Sequence, residues 1–162
     1  MKKLVFLMAT LLIGSMVFTG CKKDSDTPSG QTGKTFKVSY GLGNTNTVQG
    51  EVLTTLGCFK FDVTYTGADG NSVEVKGVTL PWTSDAFDVK APFKAKIEAK
   101  PVYNEADLPD EGEFVYGAVA LIYKEGKVMK KYDDIYRRTK AKFLQTAQNN
   151  PENLIIKTDY DF

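Results

Sequence analysis

The chain has 162 residues, 21 of them basic and 20 acidic, a formal net charge of +1 that gives no electrostatic pull toward nucleic acid. It contains no histidine, which removes the usual general base, the Ser-His and Cys-His pairings and the commonest transition-metal ligand. Its only thiols are Cys21 and Cys58.

Met1-Lys2-Lys3 opens the chain with positive charge, and an apolar run from Leu4 to Phe18 follows, broken only by Thr10, Gly14 and Ser15. Small residues then lead into a cysteine at Thr19-Gly20-Cys21. This is the order of a secretory signal over residues 1–20. The run is about 15 residues long, short of the roughly 20 that cross a hydrocarbon layer. Phe18-Thr19-Gly20-Cys21 resembles the lipobox of bacterial lipoprotein precursors, with Phe18 where leucine is usual. That resemblance implies cleavage before Cys21 and lipid on its sulfur. Each buried CH₂ of an acyl chain contributes about 0.8 kcal/mol, so two or three chains hold a domain firmly. Cys21-Lys22-Lys23-Asp24-Ser25-Asp26 resembles the charged export tag of Bacteroidetes surface lipoproteins, which implies an outer-membrane anchor, surface-exposed or periplasm-facing.

Residues 21–34 read as a tether, because 22–34 are rich in Ser, Thr, Gly, Pro and charge and hold no aliphatic or aromatic side chain. Losing Lys2 and Lys3 with the leader leaves 19 basic against 20 acidic residues. Residues 35–162, about 128 in all, suit one domain with a real core. Once Cys21 carries lipid, Cys58 has no partner for an intramolecular disulfide. It reads as a small packed residue in the strand-like Gly57-Cys58-Phe59-Lys60-Phe61.

Period-two alternation then recurs along the body. Phe36, Val38 and Tyr40 share one face, opposite Lys37 and Ser39; Phe59, Phe61, Val63 and Tyr65 alternate with Lys60, Asp62 and Thr64. Gly67-Ala68-Asp69-Gly70-Asn71 is a turn, and Val73 and Val75 resume the pattern beyond it. Phe93, Ala95, Ile97 and Ala99 alternate with Lys94, Lys96, Glu98 and Lys100, and the lysines read as a solvated, edge-protecting face. Residues 114–123 are apolar on both faces, as in a central strand, and Lys124-Glu125-Gly126-Lys127 turns the chain toward Val128 and Met129. Residues 133–148 lack Gly and Pro, and Ile135, Tyr136, Thr139, Phe143 and Ala147 fall near helical spacing. A short helix of one or two turns is expected there, started by Asp133 and Asp134 and stopped by Asn149-Asn150-Pro151. Leu154, Ile156, Tyr160 and Phe162 give a last alternating strand. The expected fold is therefore mainly β, an antiparallel sandwich or barrel with a short helical segment before the last strand.

Phe61-Asp62-Val63-Thr64-Tyr65, the 67–70 turn and Gly77-Val78-Thr79-Leu80-Pro81-Trp82 resemble the C-terminal domain of the MmpS-like family, over about residues 36–130. The resemblance implies a membrane-anchored, immunoglobulin-like β-sandwich, associated in mycobacteria with lipid-exporting transporters. The chain departs from that pattern at 41–56, 104–113 and beyond Tyr132. Without the family, the same corner reads simply: Pro81 ends sheet pairing and Trp82 buries its ring at the sandwich edge.

Chemistry is sparse. Residues 104–113 hold five carboxylates, and Asp107, Asp110 and Glu111 are the ones that would serve a calcium ion. Their spacing matches no dedicated calcium loop, so a solvated connection without metal is the reading. Gly67-Ala68-Asp69-Gly70 opens no helix and is a hairpin turn, not a phosphate cradle. The expectation is a non-catalytic envelope lipoprotein without cofactor, held to the membrane by lipid, that binds or supports an unknown envelope protein or glycan. The alternatives are a glycan- or peptide-binding surface module and, last, a small hydrolase using two facing carboxylates.

Overall fold

Alternation in the sequence becomes burial in the structure, a computed structural model that describes residues 33–162. The expected leader, Cys21 and the tether as far as residue 32 lie outside the described residues. β1 (Thr35–Gly43) buries Phe36, Val38, Tyr40 and Leu42 and turns Lys37 to solvent. β4 (Lys60–Thr66) buries Phe61 and Val63, and β8 (Lys94–Val102) buries Ala95, Ile97 and Ala99. Each strand contributes one apolar row, and two antiparallel sheets press those rows together.

The first sheet runs β10 (Lys127–Thr139), β9 (Glu113–Lys124), β1, with two short strands, β6 (Trp82–Thr83) and β7 (Phe87–Lys90), pairing successive stretches of the far edge of β1. The second runs β11 (Ile156–Asp161), β8, β4, β5 (Ser72–Val78). Every pairing is antiparallel, giving the mainly β, sandwich-like layering expected. β9 lies between β10 and β1, which is why its residues are apolar on both faces. Glu125 and Gly126 link β9 to β10 with positive φ at both positions, the backbone of a two-residue hairpin turn.

Two tyrosines sit deep in the core with their hydroxyls satisfied. Tyr40 donates to the Thr66 carbonyl at 2.8 Å, and Tyr116 donates to the carbonyl of Leu154. Burial pushes the Tyr40 phenol up to about 12 and raises that of Tyr116 further.

The helix differs from the expectation. Residues 133–139 belong to β10, which pairs with β9 without interruption from Lys130↔Ile122 to Thr139↔Glu113. α1 starts only at Lys140 and runs to Asn149, with the Thr139 side chain accepting from the Lys142 N–H. Tyr132, Ile135, Tyr136 and Thr139 are good strand formers, and β9 supplies the partners that a local helix would have had to replace. The expected stop at Asn149-Asn150-Pro151 holds, as Pro151–Leu154 forms a 3₁₀ turn. Phe143, the one buried residue of α1, enters a ring of Phe59, Tyr103, Phe114 and Tyr116 at centroid distances of 4.9–5.7 Å. The helix closes one end of the sandwich.

Two smaller corrections follow from topology. Cys58 lies in the turn before β4 rather than in a strand, partly buried against the core. The lysines of β8 protect no edge, because β4 and β11 flank that strand on both sides. In register, Lys94 faces Asp161, Lys96 faces Asp159 and Lys100 faces Asp62, so acids interleave with them.

Candidate functional site

The residues singled out in the sequence do not converge on a metal. Asn104 caps a 3₁₀ turn at Glu105–Asp107 through its side chain, and Leu108 drops into the core behind it. Asp107 and Glu111 stay exposed. Asp110 is taken by Lys140, whose Nζ lies 2.8 Å from its Oδ1 and donates also to the Leu108 carbonyl at 3.3 Å. That lysine bond holds the Asp110 carboxyl below its ordinary range. No group of three or more metal-binding side chains occurs among the described residues.

Two carboxylates do line one groove. Asp69 and Asp88, with Lys90, Pro92 and Phe93, border an open space of about 490 Å³ near the start of β1. Asp69 is occupied as a turn cap, accepting from the backbone N–H of Asn71 at 2.9 Å and from its side-chain amide at 2.8 Å. Those bonds lower its pKa, the opposite of what a general acid requires. Burial, with Asp107 adding to it, raises the pKa of the Cys58 thiol, which makes it a poorer nucleophile.

A built surface lies elsewhere, on the outside of the first sheet. Val115, Val119, Leu121 and Tyr123 of β9 point away from the core, and Ile135 of β10 joins them. β2 (Thr45–Val48) and β3 (Glu51–Thr54) form a hairpin that folds across this apolar face. Leu53 is 6% exposed and packs on Val119 and Ile135 as a second, small core. The base of the hairpin is pinned: the Thr55 hydroxyl donates to the Gly117 carbonyl at 2.7 Å, and the Leu56 N–H donates to the Val115 carbonyl at 2.9 Å. Gly117 has φ +129°, and a Cβ there would stand 1.7 Å from the Asp134 carbonyl oxygen. Only glycine lets β10 meet β9 at that point.

The cover is incomplete. Between the hairpin tip and β10 an open groove of about 370 Å³ is bordered by Val48, Glu51, Leu53, Ile135 and Arg137. Arg137 bonds Glu51 across it. Val48 and Val52 remain 40% and 63% exposed on the ribbon. Leu53 and Ile135 give the groove an apolar floor, Gln49, Tyr136 and the Glu51–Arg137 pair add polar edges, and Val52 lies on the opposite side of the hairpin from Leu53.

A second feature lies on the open edge between β5 and the β6–β7 pair. Tyr65, Trp82 and Phe87 are half-buried there, with Tyr65 6.0 Å from Trp82 and 6.3 Å from Phe87. Tyr65 stacks on Phe87 and lies tilted against Trp82, which is half-buried at the sandwich edge.

No protein-family model matches the chain, and no curated protein matches it. Among the described residues no helix is long and apolar enough to cross a membrane. The hairpin was missed in the sequence because residues 45–54 are largely polar and bury a single leucine. Exposed Val48 and Val52 flanking Gln49-Gly50 were the available signal.

Proposed function

We propose that this protein is a non-catalytic envelope lipoprotein, anchored through Cys21, whose sandwich binds another envelope component on the outer face of its first sheet. The observation that carries the binding role is the partly covered apolar face: a hairpin fixed across Val119 and Ile135, with a groove beside it and two exposed valines. The anchor rests on the leader and lipobox-like Phe18-Thr19-Gly20-Cys21. The hydrogen bonds that engage Asp69 and Asp110 and the raised pKa of Cys58 support a role without catalysis. A glycan is the second reading for the ligand, favoured by the Tyr65, Trp82 and Phe87 rings at the open edge.

One experiment separates the parts. Tagged wild-type protein, Cys21→Ser and the double variant Val48→Asp with Val52→Asp are compared in cell fractionation and in capture from envelope extract. Cys21→Ser should leave the membrane pellet, whereas the double variant should stay there and lose the captured component. A Cys21→Ser protein that still pellets contradicts the anchor. A double variant that captures as wild type contradicts the binding face, and loss of capture on Trp82→Ala instead moves the site to the aromatic edge.

A further inference from the structure

Seven large apolar side chains are exposed among the described residues, and three of them, Val128, Met129 and Tyr132, fall within five consecutive positions of β10. Exposed lysines interleave with them at 127, 130 and 131. A bulge between Val128 and Lys130 leaves Met129 without a partner on β9 and bends the strand outward there. This stretch adjoins the start of the described chain. The Glu125 N–H donates to the Lys37 carbonyl at 2.9 Å, the Lys37 N–H donates to the Glu125 carboxylate at 2.8 Å, and the Lys124 ammonium stands 4.2 Å above the Phe36 ring.

We propose that this end of the sandwich, with Val128 and Met129 foremost and lysines around them, rests on the phosphate-bearing lipid surface that holds Cys21. The inference rests on the lipoprotein reading and adds an orientation to it. Chain length favours this occupant. The thirteen residues at 22–34 span at most about 50 Å at full stretch, and a strand as long as β9 alone covers about 40 Å. Because the chain enters the domain at Thr35, that end meets the lipid with little extension, whereas an end about 40 Å away is reached only with those residues near full stretch. Charge favours it as well. Lys131 is paired with Asp133 and Lys94 with Asp159 and Asp161, and Asp159 also feels Lys130. Lys34, Lys37, Lys124 and Lys127 have no carboxylate within ion-pair distance among the described residues. Lysines beside an anionic lipid surface add attraction within a Debye length, and inserted apolar side chains add buried area. A solvated edge strand would need the lysines alone; Val128 at 52% exposure and Met129 at 38% have no such purpose.

The test uses the lipidated protein in vesicles of phosphatidylethanolamine and phosphatidylglycerol, with or without bromine on the acyl chains. In a Cys58→Ser background, Val128→Cys or Val52→Cys carries a fluorophore quenched by bromine. The expected result is at least a twofold loss of emission at 128 in brominated vesicles and none at 52. Lys34→Glu with Lys127→Glu should restore the emission at 128 while the protein still floats with the vesicles. Protein that floats but shows no quenching at 128, or equal quenching at 128 and 52, overturns the orientation and leaves the anchor standing. Protein that does not float with the vesicles overturns the anchor and this proposal together.

Discussion

The two sheets turn opposite kinds of surface outward. Outside the second sheet, Lys94, Lys96, Glu98 and Lys100 of β8 meet Asp159 and Asp161 of β11 and Asp62 of β4, with Lys94 3.0 Å from Asp159 and Lys96 3.7 Å from Glu98. Charge answers charge on this face, with Val102 at the end of β8 the exposed apolar exception. Outside the first sheet, Val115, Val119, Leu121 and Ile135 would lie bare without the hairpin that carries Leu53. A face that the chain must cover with an added ribbon, and covers only in part, is where a partner gains most by binding.

The contrast sets the size of each mutational effect. Gly117→Ala should be the most damaging change in the protein, because its Cβ collides with the Asp134 backbone at a φ that side chains rarely adopt. A loss above about 4 kcal/mol, or failure to fold, is expected in chemical denaturation. Phe61 belongs to the core shared by both sheets and is fully buried. Its replacement by alanine should cost roughly 3–5 kcal/mol, while Lys60→Ala, pointing outward, should stay within about 0.5 kcal/mol. Equal denaturation midpoints for that pair would break the strand register. Leu53→Ala uncovers only the small outer core and should cost about 2–3 kcal/mol, the lower end for an emptied leucine site. It should also increase binding of an apolar dye. On the charged face, Lys94→Ala should leave the melting temperature unchanged, since Lys94 and Asp159 are both well exposed and solvent screens their attraction. A drop as large as that of Leu53→Ala would erase the distinction between the two faces.

Much of the inner core was legible because a strand buried on one side must alternate: Phe36, Val38 and Tyr40 announce their own face. The outer face of the first sheet was half legible. The apolar run at 114–123 marked a central strand, yet its second face needed a cover that local sequence does not announce. That cover is polar except for Leu53, and its seat depends on Gly117 and Thr55, 62 residues apart. The start of α1 is not legible in local sequence for a related reason. Ile135, Tyr136 and Phe143 satisfy helical spacing, but the partners of Ile135 and Tyr136 lie across the hairpin at Gly117 and Tyr116. Local periodicity could not weigh that ladder. The acidic loop at 104–113 drew attention by composition, and Lys140 from α1 settles where Asp110 goes.

The most direct test compares the two outer faces in living cells. A photo-crosslinking residue is placed at Val52, on the solvent side of the covering hairpin, or at Lys96, on the charged face, in protein shown to reach the envelope and to melt as wild type. The account predicts a discrete crosslinked species from position 52, none from position 96, and loss of the former on Val48→Asp. Crosslinks from position 96, or none from position 52, would contradict the assignment of the first sheet's outer face as the binding surface.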